Sequence, residues 1–238
     1  MSMIQDKPGY LSKVHYLFGN HQNYINTTEK FLYDLEKVKT TEAIAFHNGE
    51  EQEVIHTEIT NVDTLNHYPH IYRNSLFITI SSTLEVLLYE LCNRINIEMK
   101  LQNPFRSGKD TLTRACRYMK QAGFKFPEDE RLWHQISDLN KIRNCIVHHQ
   151  GNISEDRENL LLISKRYPSI THNKMDLINE LLQQSGATTL QSMSDFEFEP
   201  EFIFLKKDFC SEVIEIYKRF FERLFSINSI NNQEARKD

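Results

Sequence analysis

Residues 71–97 of the chain read IYRNSLFITISSTLEVLLYELCNRINI, the most regular stretch of the sequence. Its apolar side chains recur at i, i+3, i+4 and i+7, the spacing of one helical face; they are Phe77, Ile80, Leu84, Leu87, Leu88, Leu91 and Ile95. The pattern predicts an amphipathic helix of about seven turns that begins after Pro69 and does not extend beyond Pro104. Polar residues interrupt the apolar run between Leu76 and Leu91, so we expect a core helix and not a membrane span.

Helical periodicity continues on both sides of this stretch and predicts a mainly α protein. Toward the C-terminus, helices are expected at 110–122, 128–150, 155–166, 174–184 and 208–225, with a polar, frayed tail after residue 227. Phenylalanines on either side of Pro200 alternate with polar residues, which predicts two short strands or extended segments at 196–204. The expected fold is a bundle of four to five core helices with a minor β hairpin or extended element.

The N-terminal region leaves alternatives open. Apolar residues within 11–38 recur at helical spacing, and polar residues 26–28 offer an N-cap in the middle. We therefore expect two helices or one broken helix there. The segment 41–60 fits either a β-hairpin around the Asn-Gly turn at 48–49 or a continued helix.

Composition and charge narrow the class of protein. Of 238 residues, 39% are hydrophobic and 26% are charged, as in a globular chain with a sizeable core. The net charge of −5, from 28 basic and 33 acidic residues, argues against a nucleic-acid binder with a broad electrostatic footprint. An enzyme that contacts one or two phosphates in a local pocket stays compatible with this charge.

The first residues and the cysteines of the sequence indicate the cellular compartment in which we expect the protein. The first ten residues lack the apolar run of a signal peptide. The four cysteines are far apart and form no Cys-x-x-Cys pair; they are Cys92, Cys116, Cys145 and Cys210. We expect a cytoplasmic protein with free thiols, without membrane association, metal site or cofactor.

One basic residue interrupts the apolar face of the helix expected at 128–150. At about 100° per residue, one stripe of this helix is apolar; it carries Leu132, Ile136, Leu139, Ile142 and Ile146. Arg143 lies near the middle of that stripe. Because an unpaired charge in a protein core is costly, Arg143 must meet a carboxylate, line a cavity or lie at an interface.

The residues that follow Arg143 add further functional groups. Asn144 and His148 are four residues apart and share a helical face. Gly151 is the expected C-cap, which puts His148 in the last turn, where solvent reaches it and the helix C-terminus favours the protonated imidazole. Cys145 lies opposite the arginine stripe and is expected to be an inert thiol and not a nucleophile.

This segment resembles the HEPN domain family. Arg143-Asn144-x-x-x-His148 is similar to the R-x(4–6)-H signature of the family in its common Arg-Asn form. Asp138 and Lys141 precede it, as in many relatives, and the motif ends a long amphipathic helix. The helix at 72–92 also resembles the first core helix of HEPN proteins, which often carries an arginine near its start and a glutamate near its middle.

The resemblance implies a metal-independent endoribonuclease. In that role His148 would act as general acid or base, Arg143 would clamp the phosphate, and Asn144 would orient by hydrogen bonding. The expected product is a 2′,3′-cyclic phosphate, made from RNA alone because DNA lacks the 2′-hydroxyl. On an ideal helix Arg143 and His148 point roughly 140° apart and lie about 7.5 Å apart along the axis. The resemblance implies a homodimer in which two motifs face each other.

Three residues are supporting candidates with structural alternatives. His149 also fits the spacing rule and competes with His148. Glu85 would pair with Arg143 or orient His148, or it is simply a solvated carboxylate. Arg73 would touch substrate, or it forms a salt bridge at the start of its helix.

The resemblance also suggests a domain division and a biological setting. We divide the chain into an N-terminal helical extension (1–65), a HEPN-like domain (66–227) with an insertion at about 165–205, and a flexible tail (228–238). The implied partners are RNA, a second copy and an antitoxin or regulatory protein, in toxin, antiviral defence or RNA-processing roles. The alternative is a non-catalytic HEPN-like module for dimerisation, protein interaction or nucleotide sensing.

Overall fold

A computed structural model describes residues 7–46, 51–106, 108, 110–127, 131–172 and 202–234, with the side chains of 7, 35–46, 51–68 and 229–234 left undescribed. The elements in these ranges are α1 (Lys7–Phe46), α2 (Glu51–Met99), α3 (Thr111–Gln121), α4 (Arg131–His149), a 3₁₀ turn (Ser154–Asp156), α5 (Arg157–Ser164), β1 (Ile170–Thr171), β2 (Phe204–Leu205) and α6 (Phe209–Glu234). The prediction of a mainly α fold with a minor β element is confirmed. The helix expected at 174–184 and the extended segment before Pro200 lie outside the described residues.

Helix α1 is continuous where the sequence suggested a break. The hydroxyl of Thr27 donates to the carbonyl of Asn23, 2.9 Å away and one turn earlier. A side chain that bonds back along its own helix does not cap a second one. The predicted N-cap at 26–28 is therefore wrong, and so is the hairpin alternative, because residues 43–46 and 54–59 are helical. The Asn-Gly turn at 48–49 lies outside the described residues.

Helices α2 and α6 extend further than their apolar periodicity predicted. Helix α2 begins at Glu51, so Pro69 stands inside it, where the missing N–H removes one backbone hydrogen bond. Helix α6 continues past residue 227 to Glu234, where a frayed tail was expected. In both cases the helix runs on into polar sequence, which the period of apolar residues does not detect.

The described residues of the chain divide into two compact units, and the domain boundary at residue 65 stays a prediction. The first comprises the described residues of Met1–Gln22, Ile78–Asn140 and Ser211–Asp238, and the second those of Asn23–Phe77 and Lys141–Cys210. In the first unit, the start of α1 packs on α6: the ring centroids of Phe18 and Tyr217 are 5.9 Å apart. The hydroxyl of Tyr10 donates to the carbonyl of Leu87 on α2.

The second unit contains the small sheet and the residues that precede and follow it. Strands β1 and β2 are antiparallel, with Ile170 opposite Leu205 and Thr171 opposite Phe204. The core of this unit is apolar and fully enclosed; it includes Phe77, Ile142, Ile153, Ile163, Ile203 and Phe209, each 0% exposed. This core holds the end of α4 and the residues that follow it.

One segment is long and apolar enough to cross a membrane on length and composition alone. It runs from Pro69 to Met99 and has a mean hydropathy of 1.4 over its most apolar window. Half of that window is buried within the protein itself. Such burial is what the core helix of a soluble protein shows, and the fold is compatible with one.

Candidate functional site

Helix α4 carries the predicted apolar stripe and, within it, Arg143. Ile136, Leu139 and Ile142 are 0% exposed and Ile146 is 6% exposed, so the stripe faces protein along its length. Arg143 is half-buried. The prediction that an arginine interrupts a buried face is confirmed.

The end of α4 is fixed by two residues in left-handed backbone conformations. Gln150 has φ 54° and Gly151 has φ 86°. The amide of Gly151 donates to the carbonyl of Cys145 at 3.2 Å, and its own carbonyl accepts from Ile203 at 2.9 Å. A Cβ at Gly151 would make an ordinary contact of 3.4 Å with the carbonyl oxygen of Ile203, so it is the positive φ, and not lack of space, that favours glycine here.

Arg143 is the most unusual group at this site. Its Nη1 donates to Oδ1 of Asn144 at 3.1 Å. Its Nε is buried and has no hydrogen-bond partner among the described residues. No carboxylate of the described part of the chain forms an ion pair with it, whereas a half-buried guanidinium ordinarily requires one.

Asn144 fixes the direction in which the guanidinium points. It follows Arg143 on the helix, is itself half-buried, and accepts the hydrogen bond through its amide oxygen. Asn144 is thus a hydrogen-bond partner of Arg143 on the same helix.

The two histidines in the last turn of α4 differ in their surroundings. Both are exposed, and their ring centroids are 6.4 Å apart. His149 places Nε2 3.4 Å from a carboxylate oxygen of Glu155, whereas His148 has no polar partner among the described residues. His148 is therefore the histidine that is free to meet a ligand.

Cys145 lies inside the motif but is unsuited to nucleophilic chemistry. It is 4% exposed, and its thiol donates to the carbonyl of Asn152 at 3.2 Å. Burial, with a smaller contribution from the nearby carboxylate of Asp156, raises the pKa of the Cys145 thiol to about 11. The group is a neutral thiol at physiological pH, as the sequence predicted.

The supporting candidates Arg73 and Glu85 differ in their surroundings. Arg73 forms a bidentate pair with Glu29, with Nε and Nη2 each 2.8 Å from one carboxylate oxygen. Its Nη1 also donates to the carbonyl of Leu205 at 3.3 Å, which fits the structural alternative. Glu85 belongs to the other compact unit, is half-exposed, and forms no ion pair with the described residues.

The described residues offer no evident metal site. They contain no cluster of three or more histidine, cysteine, aspartate or glutamate side chains that could hold an ion. All four cysteines are buried as free thiols. The groups available for chemistry at the end of α4 are thus a guanidinium, an amide and an exposed imidazole.

A second basic feature was missed by the sequence reasoning. An open cleft in the first unit is lined by Arg106, Arg114 and Arg117. The signal was present in the local charge: residues 100–125 contain seven basic residues and one acidic residue, within a chain whose net charge is −5. Averaging charge over the whole chain concealed it.

No protein-family model, curated protein or solved structure matches this chain. The resemblance of residues 143–148 to the HEPN signature therefore rests on those residues and on their place at the end of a long helix.

Proposed function

We propose that the chain is a metal-independent endoribonuclease of the HEPN type that acts as a homodimer. One observation carries the proposal: Arg143 is half-buried, holds a buried Nε without a hydrogen-bond partner, and meets no carboxylate among the described residues. A cation in such a setting is stabilised by an anionic ligand. An exposed histidine in the last turn of the same helix supplies the group that would act on that ligand.

The reaction that fits these groups is transesterification within RNA. A neutral imidazole removes the proton of the 2′-hydroxyl, and the 2′-oxygen forms a bond to the adjacent phosphorus. The bond from phosphorus to the 5′-oxygen breaks, and a protonated imidazole supplies the proton to that oxygen. The products are a 2′,3′-cyclic phosphate and a 5′-hydroxyl, and no metal, oxidant or further reactant is consumed.

Arg143 would act on the charge that builds up at phosphorus. The pentavalent phosphorane carries two negative charges, and a fixed guanidinium stabilises it more than it stabilises the singly charged ground state. The hydrogen bond from Arg143 to Asn144 holds the guanidinium in one orientation before substrate arrives. A pre-oriented cation loses less conformational freedom on binding.

A second copy of the chain would bring an arginine and a histidine to the same phosphate. Because Arg143 and His148 are five residues apart on one helix, their directions differ by roughly 140° and their positions by about 7.5 Å. One copy does not direct both groups at one phosphate. Two copies related by a two-fold axis would supply two histidines, one as base and one as acid, with an arginine beside each.

The first experiment is an RNA cleavage assay with the purified chain. End-labelled RNA and DNA of the same sequence are incubated in EDTA with the wild type, Arg143→Ala, His148→Ala and His149→Ala. We expect RNA-only cleavage with cyclic phosphate ends, lost in the first two variants and retained in His149→Ala, whose imidazole is engaged by Glu155. Cleavage that survives in Arg143→Ala or His148→Ala would refute the assignment and indicate a contaminating nuclease.

The oligomeric state is tested beside the assay. Sedimentation of the wild type across a hundredfold range of protein concentration is expected to show a dimer. A chain that is monomeric where it cleaves RNA would overturn the two-copy site while leaving the ribonuclease proposal intact.

A non-catalytic module is the second candidate, and one observation favours it. No described residue orients His148, although catalytic histidines are commonly held by a second group. In this candidate Arg143 binds the phosphate of a nucleotide without turnover. Nucleotide binding that is lost in Arg143→Ala, from a chain that cleaves no RNA, would select it.

The cellular setting is part of the same proposal. A cytoplasmic location is proposed from the unpaired cysteines of the sequence, and a role in toxin action, antiviral defence or RNA processing from the HEPN resemblance alone. An antitoxin or regulatory protein would then be the partner that holds the activity in check.

A further inference from the structure

The arginine-lined cleft of the first unit has a shape and a lining suited to a small anion. Its volume is about 240 Å³, and Arg106, Arg114 and Arg117 line it together with Phe105, Tyr118 and Gln121. Pockets for drug-sized ligands span about 300–1,000 Å³. A cleft just below that range has room for one phosphate with part of its sugar or base, and not for a longer segment.

The described residues supply no carboxylate partner for the three arginines of the cleft. Residues 100–125 contain seven basic residues and one acidic residue, against 21 basic and 32 acidic in the rest of the sequence. Because salt screens surface charges beyond about 8 Å at physiological ionic strength, the local excess of basic residues, and not the net charge of the chain, determines which ligands the cleft attracts.

The cleft is also held in shape before any ligand binds. Arg114, Arg117, Tyr118 and Gln121 share one face of α3 because they follow the i, i+3, i+4, i+7 spacing. The hydroxyl of Tyr118 donates to Oδ1 of Asn96 at 3.0 Å, which fixes the aromatic ring.

The segment before α3 supports the other side of the cleft. The ring centroid of Phe105 lies 5.3 Å from that of Tyr118, and Phe105 is 6% exposed. Nη1 of Arg114 lies 2.7 Å from the position that a Cβ at Gly108 would occupy, so the guanidinium packs against this segment. Both sides of the cleft therefore present groups with defined positions.

We propose that this cleft binds the phosphate group of a nucleotide, with the base or sugar against the ring of Tyr118. Arginine forks match phosphate oxygens, and an aromatic face accepts any base by stacking. The same chemistry is offered by a free nucleotide and by one residue of a single-stranded RNA. The inference goes beyond the proposed nuclease, since it concerns binding and uses none of the residues at the end of α4.

The test measures binding to probes that cannot be cleaved. A fluorescein-labelled 2′-O-methyl RNA octamer is titrated with the full-length chain, and AMP and inorganic phosphate are used as competitors. The variants are Arg114→Gln/Arg117→Gln and Tyr118→Leu. The matched control is Lys30→Gln/Lys165→Gln, which removes the same charge from two exposed lysines of the second unit.

The expected results follow from the number of phosphate contacts. The double arginine variant should weaken binding at least tenfold and lower the slope of log K against log salt by about 1.4, at ~0.7 per contact with single strands. Tyr118→Leu should weaken nucleotide binding about fivefold or more. The control should change affinity less than threefold, and unchanged thermal unfolding of each variant excludes misfolding.

The competitors identify the source of the phosphate and the role of the ring. Competition by AMP supports a site for a free nucleotide, and octamer binding without AMP competition supports a site for the RNA chain. Equal competition by inorganic phosphate, with Tyr118→Leu unaffected, would overturn the nucleotide assignment. Wild-type affinity in the double arginine variant would overturn the site altogether, and repeating the titration in Arg143→Ala separates this outcome from any failure of the nuclease proposal.

Discussion

The contrast between two arginines of the second unit gives the sharpest prediction. Arg73 is bidentate with Glu29 and its side chain is 15% exposed, so it is a structural cation. Arg143 has a buried Nε without a described partner. We expect Arg73→Met to destabilise the protein strongly and Arg143→Met to leave its stability unchanged or raised.

The magnitudes follow from the contacts that each substitution removes. Removing one partner of a buried ion pair costs about 3–5 kcal/mol, because Glu29 would be left without its cation. In Arg143→Met, relief of a buried unsatisfied donor is worth ~1–3 kcal/mol, while the lost hydrogen bond to Asn144 costs ~0.5–1.5 kcal/mol. The net expectation is a gain of about 1 kcal/mol in the free energy of unfolding.

Thermal unfolding at one fixed protein concentration measures both variants. At about 2–4 °C per kcal/mol for a chain of this size, Arg143→Met should raise Tm by ~2–4 °C and Arg73→Met should lower it by ~6–20 °C. RNA cleavage is measured on the same samples, and Arg143→Met should be inactive although stable. If Arg143→Met lowers Tm as much as Arg73→Met does, Arg143 is a structural residue and the argument for an anionic ligand fails.

Three further predictions follow from groups with defined surroundings. Burial lowers the pKa of His172, so the unfolded chain binds its proton first and stability is lost as pH falls below about 6.5. His172→Gln should therefore flatten the dependence of Tm on pH between 7.5 and 5.5, and His134→Gln, at an exposed position, is the matched substitution control. Gly151→Ala should lower Tm through a strain of about 1–2 kcal/mol at φ 86°, whereas Gly19→Ala, in a helix with nothing within 4 Å of the new Cβ, should raise it. The buried thiol of Cys145 should resist iodoacetamide at pH 7.5 in the native protein and react in urea, and rapid native labelling would contradict its raised pKa.

The sequence predicted helices best where one apolar face is packed. The buried positions of 71–97 and of α4 follow the 3.6-residue period, and both segments are helical as expected. The spacing of apolar residues did not predict the helical segments of polar sequence before Pro69 and after residue 227. There, each polar residue extends a helix that is already stabilised by packing elsewhere along its length. The spacing of apolar residues therefore does not reveal that these polar residues are helical.

In the candidate site, features set by neighbouring residues could be predicted from the sequence, whereas contacts between distant residues could not. The end of α4 at Gly151 and the place of Arg143 on a buried stripe were readable from spacing alone. The pairing of Arg73 with Glu29 spans 44 residues of chain, and that of His149 with Glu155 depends on the turn that follows Gly151. Periodicity does not report which distant residue faces a given side chain, so only the structure distinguishes the structural arginine from the available one.

The net charge of the chain was a weaker guide to function than its distribution. A surplus of acidic residues argues against RNA binding only where the whole surface contributes, and screening limits each charge to about 8 Å at physiological ionic strength. Among the described residues, Arg143 at the end of α4 and the three arginines of the cleft beside α3 form no ion pair with a carboxylate. Outside 100–125 the chain has 21 basic and 32 acidic residues, which repel a phosphate backbone. RNA that binds this protein is therefore expected to do so at these two places, through few phosphates, and with a shallower salt dependence than a protein that tracks a long strand.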